Sequence, residues 1–176
     1  VSIDGTLDLG SKTLEITSSG APLSISGTLT ASSSTLRYSG TSNTTITPVT
    51  YYNLELAPSS GTQTYTLGTT TGQTITVNNN FTLGGAGNLT VDADTRDPII
   101  NVTGNMTVGS GDTYQVSNTS TTTVTGDVSV TGTISGGGNV TVQGGDVTGN
   151  GTINLSSGTL TLSGTGSLGG SGNWNY

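Results

Sequence analysis

Cysteine and histidine are absent from this chain, and its only basic residues are Lys12, Arg37 and Arg96. Without cysteine, disulfides and thiolate metal centres are excluded. Without histidine, and with a single lysine, proton abstraction beside a sugar acid has no convincing base. A net charge of −7 and no cluster of lysine or arginine exclude a phosphate backbone or an anionic membrane surface as partner. No apolar run nears the ~18 residues of a membrane-spanning helix, so membrane insertion is not expected. No signal peptide is visible, and the chain reads as a mature protein or an excised fragment.

Apolar residues are scarce at 29%, and charged ones scarcer at 7%. Globular domains usually hold about 45–50% and about 25%. Disordered chains, however, are charged, proline-rich and aperiodic. Here there are 4 prolines and a strict pattern. The composition fits an ordered core one side chain deep, in a single domain spanning 1–176.

What is present is alternation. Leu14-x-Ile16, Leu23-x-Ile25, Ile75-x-Val77, Leu89-x-Val91, Met106-x-Val108, Val140-x-Val142 and Leu160-x-Leu162 send every second side chain inward, with Thr or Ser neighbours outward. Nowhere does helical spacing persist, while Thr, Val and Ile suit a pleated surface. Gly-Asn, Gly-Asp, Ser-Gly and Gly-Gly between the units read as turns that use positive φ.

The units also repeat. An offset of 22 superposes Ile3 on Ile25, Leu7 on Leu29, Leu14 on Leu36 and Ile16 on Tyr38. In the middle, 25 superposes Ile75 on Ile100, Phe81 on Met106, Leu83 on Val108, Leu89 on Tyr114 and Val91 on Val116. Later, 19–20 superposes Ile134 on Ile153, Val140 on Leu160 and Val142 on Leu162. This phase predicts an all-β, right-handed parallel β-solenoid (a β-helix) with about three short strands per turn and roughly eight turns. An antiparallel sandwich is the alternative, but its strands need not repeat in phase. The rhythm breaks over 51–71, an irregular segment.

Within Ser34–Val91, a Tyr-Ser-Gly-Thr segment, a Thr-Ile-Thr strand, Tyr-Tyr-Asn-Leu and a glycine-punctuated "NNNFTLG" run follow one another. This series resembles a repeat of large surface proteins of uncultured bacteria. The resemblance implies an exported, extracellular, adhesin-like β-helix and carries no catalytic residues to transfer.

The densest polar cluster is Asp92, Asp94 and Asp97 around Arg96. Carboxylates at this spacing could converge on Ca²⁺, the one cofactor worth considering. They could equally form a solvated loop with Arg96 paired to an Asp. The same cluster alone could supply the two carboxylates of a glycan hydrolase. The remaining aspartates stand singly beside glycine or at turns. Gly136-Gly137-Gly138 lacks the lysine and helix of a phosphate loop. No enzymatic activity is expected.

Asn-x-Ser/Thr recurs, as at Asn80, Asn105 and Asn139, and falls out of a turn asparagine followed by an apolar-Thr strand. Thr64 and Thr66, Thr74 and Thr76, and Thr123 and Thr125 suggest an outward ladder of hydroxyls for ice or glycan. Stacked threonines also stabilise a neutral sheet, and the Thr-x-Thr units do not share one phase in the sequence. No capping helix is visible at either end, so copies are expected to stack end to end, an open contact that builds filaments. The expectation is a structural cell-surface stalk, adhesin segment or filament subunit, with ice or glycan binding as the alternative.

Overall fold

The computed structural model describes residues 1–175; Tyr176, expected beside Trp174 at the end of the chain, lies outside the described residues. Among those residues there are 24 strands and no helix. All strand pairs are parallel, and they coil as a β-solenoid of about eight turns. With layers ~4.8 Å apart, the coil is on the order of 35–40 Å long.

Three sheets form its faces. Face one stacks Thr13–Ile16, Thr35–Tyr38, Asn53–Leu56, Phe81–Leu83, Met106–Val108, Val128–Val130 and Val147–Gly149. Face two stacks Thr44–Ile46, Thr62–Leu67, Asn88–Ala93, Thr113–Val116, Thr133–Gly136, Thr152–Leu155 and Asn173–Asn175. Face three stacks Thr50–Tyr51, Thr74–Val77, Ile99–Val102, Thr121–Val124, Asn139–Val142 and Leu160–Leu162. In the first two layers, Ser2–Ile3 pairs with Ser24–Ile25 and Thr6–Asp8 with Thr28–Thr30.

Alternation builds the interior directly. Leu14, Leu36, Leu54, Phe81, Met106, Val128 and Val147 form one inward column on face one. Tyr51, Val77, Val102, Val124, Val142 and Leu162 form another on face three. Most of these side chains are fully buried, with Leu14 and Leu162 partly covered. Each large aliphatic so buried contributes about 1.5–3 kcal/mol, which compensates for the shortness of the strands.

The 22-residue and 19–20-residue superpositions hold residue for residue. So does the 25-residue offset on faces one and three. It fails on face two. Val91 pairs with Tyr114 and Ala93 with Val116, so Leu89 does not lie on Tyr114, nor Val91 on Val116. The offset there is 23, because Asn88 and Leu89 pair only with the layer before and the next strand begins with Thr113 opposite Thr90. A slip of two residues keeps the inward side inward, so apolar periodicity cannot detect it.

Between Tyr51 and Thr71, where the sequence rhythm breaks, the chain supplies the end of one face-three strand and the strands Asn53–Leu56 and Thr62–Leu67. Here the layers are held by tyrosines. Tyr51 Oη donates to the Thr47 carbonyl (2.6 Å) and lies 3.3 Å from Tyr38 Oη. Tyr65 Oη donates to the Gly40 carbonyl (2.6 Å). Tyr114 Oη shares a 2.8 Å hydrogen bond with Thr122 Oγ1, and its ring meets Phe81 edge-on at 6.1 Å. Burial raises all four phenols, Tyr38 and Tyr65 to about 12.

Candidate functional site

The corner leading into face one carries a ladder of side-chain hydrogen bonds. Asn53 Oδ1 accepts the Asn80 N–H (3.2 Å), and Asn80 Oδ1 accepts the Asn105 N–H (3.1 Å). Asn105 Oδ1 takes the Asp127 N–H (2.9 Å), Asp127 Oδ1 the Asp146 N–H (2.9 Å) and Asp146 Oδ1 the Ser167 N–H (2.7 Å). At this bend each N–H points back towards the previous layer and is met by a side-chain oxygen. The bonds to Ser167 hold the Asp146 carboxyl below its usual range.

Beside this ladder runs a column of glycine. A Cβ on Gly126 would sit 2.4 Å from Asn105 Oδ1, and one on Gly145 would sit 2.3 Å from the Gly126 backbone. Neither glycine has positive φ. At Gly126-Asp127 and Gly145-Asp146 the glycine therefore serves close stacking, whereas Gly111 before Asp112 and Gly149 before Asn150 do take the positive φ expected of such turns. The ladder also explains the Asn-x-Ser/Thr pattern at Asn80 and Asn105. A corner acceptor is followed by an inward apolar residue and then an outward threonine. Asn139 plays the same part on face three, accepting the Thr159 N–H (3.0 Å).

Asp92, Asp94 and Asp97 are not brought together. Asp92 Oδ1 accepts the Asp94 and Thr95 N–H groups (2.8 and 2.9 Å), and its Oδ2 accepts Thr95 Oγ1 (2.6 Å). Asp97, at φ 47°, instead accepts the Ser117 hydroxyl from the next layer, which lowers its pKa. No group of three or more His, Cys, Asp or Glu among the described residues is placed to hold a metal. Arg96 makes no ion pair with these aspartates among the described residues. The cluster is a turn bridging two faces.

The six threonines fall on two faces. Thr64 belongs to a face-two column of Thr64, Thr90, Thr113, Thr133 and Thr152, which stays in register although the sequence offsets vary. Thr66 stands in a mixed column with Thr45, Asp92, Gln115, Ser135 and Asn154. On face three, Thr76 and Thr123 share a column that Asn101 interrupts, while Thr74 stacks on Ile99. Thr125 lies past its strand, 3.4 Å from Gln143 Oε1. The longest unbroken threonine column is therefore the one on face two, which holds only Thr64 of the six, while Thr123 begins a shorter one with Thr141 and Thr161 on face three.

Face one also carries Glu15, Arg37 and Glu55 as an outward charged column. Arg37 Nε lies 3.7 Å from Glu55 Oε1 and 4.0 Å from Glu15 Oε1. Next to Glu55 is a depression of about 300 Å³ lined by Thr35, Asn53, Leu54, Glu55, Asn80 and Thr82. Sequence reasoning misses both this depression and the corner ladder. The ladder has a legible signal in Gly104-Asn105-Met106-Thr107, Gly126-Asp127-Val128-Ser129 and Gly145-Asp146-Val147-Thr148.

Against family models, curated proteins and solved structures, the chain finds no match. The class its own geometry defines is a β-solenoid repeat protein. No helix among the described residues is long and apolar enough to cross a membrane.

Proposed function

We propose that the protein is a non-enzymatic structural rod outside the cell, serving as a surface stalk, adhesin segment or filament subunit. The observation that carries this reading is the unbroken stacking of three parallel ladders, with side-chain ladders at the corners. Deforming such a rod strains many hydrogen bonds together, and its sparse charge leaves little for an aqueous partner to grip. Its carboxylates are largely engaged in holding turns, as at Asp92, Asp97, Asp127 and Asp146. The resemblance over Ser34–Val91 to repeats of bacterial surface proteins supports the extracellular setting.

A layer of parallel strands always presents an edge that another layer can pair with, whether from the same chain or from another copy. Stacking of copies end to end then extends the rod without closure. Negative-stain electron microscopy of the purified chain tests this. Rods many times the length of one coil are the expected result, and dispersed particles at every concentration overturn the filament.

The column Thr64, Thr90, Thr113, Thr133 and Thr152 favours ice binding as a second reading. Its hydroxyls repeat at ~4.8 Å. Next-nearest oxygens in tetrahedral water, with hydrogen bonds of ~2.75 Å, lie about 4.5 Å apart. Thermal hysteresis that Thr113→Lys abolishes supports this reading, and its absence in the parent chain eliminates it.

A further inference from the structure

The face-one depression holds hydrogen-bonding groups that the fold leaves unused. It lies between two outward columns, one running Thr35, Asn53, Asn80 and the other passing through Glu55 and Thr82. Outward residues of one strand are about 6.7 Å apart and layers about 4.8 Å, so three layers frame a slot of roughly 7 by 10 Å.

Each wall group has a defined state. Glu55 accepts no hydrogen bond from any described residue, and its ion pair with Arg37 at 3.7 Å is too long to be one. Asn80 commits Oδ1 to the Asn105 N–H and leaves its Nδ2 hydrogens without a partner among the described residues. Thr82 Oγ1 likewise has no partner among them. Thr35 Oγ1 accepts Asn53 Nδ2 at 3.3 Å and keeps its own proton to donate. The slot thus offers a carboxylate acceptor, amide donors and two hydroxyls over the backbone at Leu54, whose side chain points into the core. Adjacent sugar hydroxyls need this mixture, since each both donates and accepts.

We propose that this depression is a binding subsite for one ring of a neutral saccharide. Its volume of about 300 Å³ stands at the small end of ligand sites, which suits a single ring. Charge selects the class. Glu15, Arg37 and Glu55 sum to −1 along the adjoining column, which repels uronates and other anionic sugars. Glu55 accepts from two neighbouring hydroxyls, Asn80 Nδ2 donates to one of them, and Thr82 orients the ring. The inference is independent of the rod reading, which stands or falls by microscopy.

Saturation-transfer NMR on the intact chain, with methyl glycosides of glucose, galactose and mannose and with methyl glucuronide as anionic probe, tests it. At least one neutral glycoside is expected to receive saturation, with a dissociation constant on the order of 1 mM. Asn80→Asp keeps the corner acceptor, as Asp127 and Asp146 do in the same column, but removes the donor. Thr82→Val removes the hydroxyl at constant shape. Each is expected to weaken binding about tenfold, while Thr107→Val, one layer on, leaves it unchanged. No transfer to any neutral glycoside, transfer as strong as the parent's in both variants with circular dichroism unchanged, or stronger transfer to the glucuronide overturns the proposal. Should Asn80→Asp fail to fold, Thr82→Val decides alone.

Discussion

At the residue scale, glycine and tyrosine each answer to the layer next door. Gly145→Ala places a Cβ against the Gly126 backbone, so a loss of about 1–3 kcal/mol is expected in urea unfolding. Gly84 has nothing within 4 Å of its would-be Cβ and no positive φ. Gly84→Ala is therefore expected to be neutral or to stabilise by about 0.4–1 kcal/mol. The tyrosines set the alkaline limit. Their folded-state pKa values are raised by burial, so the protonated phenol is the form that the core holds. Below the ordinary value of 10.0 this stability is fully present, and it falls as pH rises from there through the folded-state pKa of about 12. A pH series of thermal melts should show the midpoint dropping above pH ~10, and difference absorbance at 295 nm should show tyrosinate appearing with unfolding. Asp112 sets a gentler trend in acid. Burial raises its carboxyl, which accepts one N–H from Leu89 (3.0 Å). Its charged form therefore costs stability as pH rises past the usual carboxylate range, and Asp112→Asn should raise the melting midpoint at neutral pH. That advantage should shrink once the medium is acid enough to protonate Asp112 in the parent.

At the element scale, each short strand depends on the corner that enters it. The Asx ladder runs from Asn53 to Ser167 and ties successive face-one strands at the point where the backbone bends. Asn105→Ala removes the acceptor for the Asp127 N–H and should cost about 0.5–1.5 kcal/mol. Asn105→Asp keeps the acceptor and should cost less. Hydrogen exchange at the Asp127 amide separates the two, fast in the alanine variant and protected in the aspartate one. Equal protection in both would mean that the ladder oxygen is dispensable.

At the scale of the whole molecule, every pairing joins strands from successive turns, so each layer rests on its neighbours. Stability in such an array is a sum of layer and interface contributions. Met106 lies fully buried between Phe81 and Val128. Met106→Ala should cost about 2–5 kcal/mol, with exchange protection lost first in the layers flanking it. Uniform loss along the rod would instead show that the coil unfolds as one unit. Refolding followed by far-UV circular dichroism should be slow, in the range of milliseconds to seconds or beyond, because pairing is wholly non-local.

Period-two alternation and recurrence in phase, read from the chain alone, determined that the protein is a parallel coil with Leu, Ile and Val inside and most Thr outside, Thr122 being an inward exception. A side chain's side of a strand is a local property, and Leu14 over Leu36 or Ile134 over Ile153 follows from counting. Tertiary structure decided whatever depends on loop length and on contact between layers. It set Val91 over Tyr114, drew five threonines into one column despite unequal offsets, and sent Asp92 and Asp97 to different partners. It also stacked Asn53, Asn80 and Asn105 into a ladder and opened the hollow beside Glu55. Corners vary from turn to turn, and only folding shows which residues those variable turns place together.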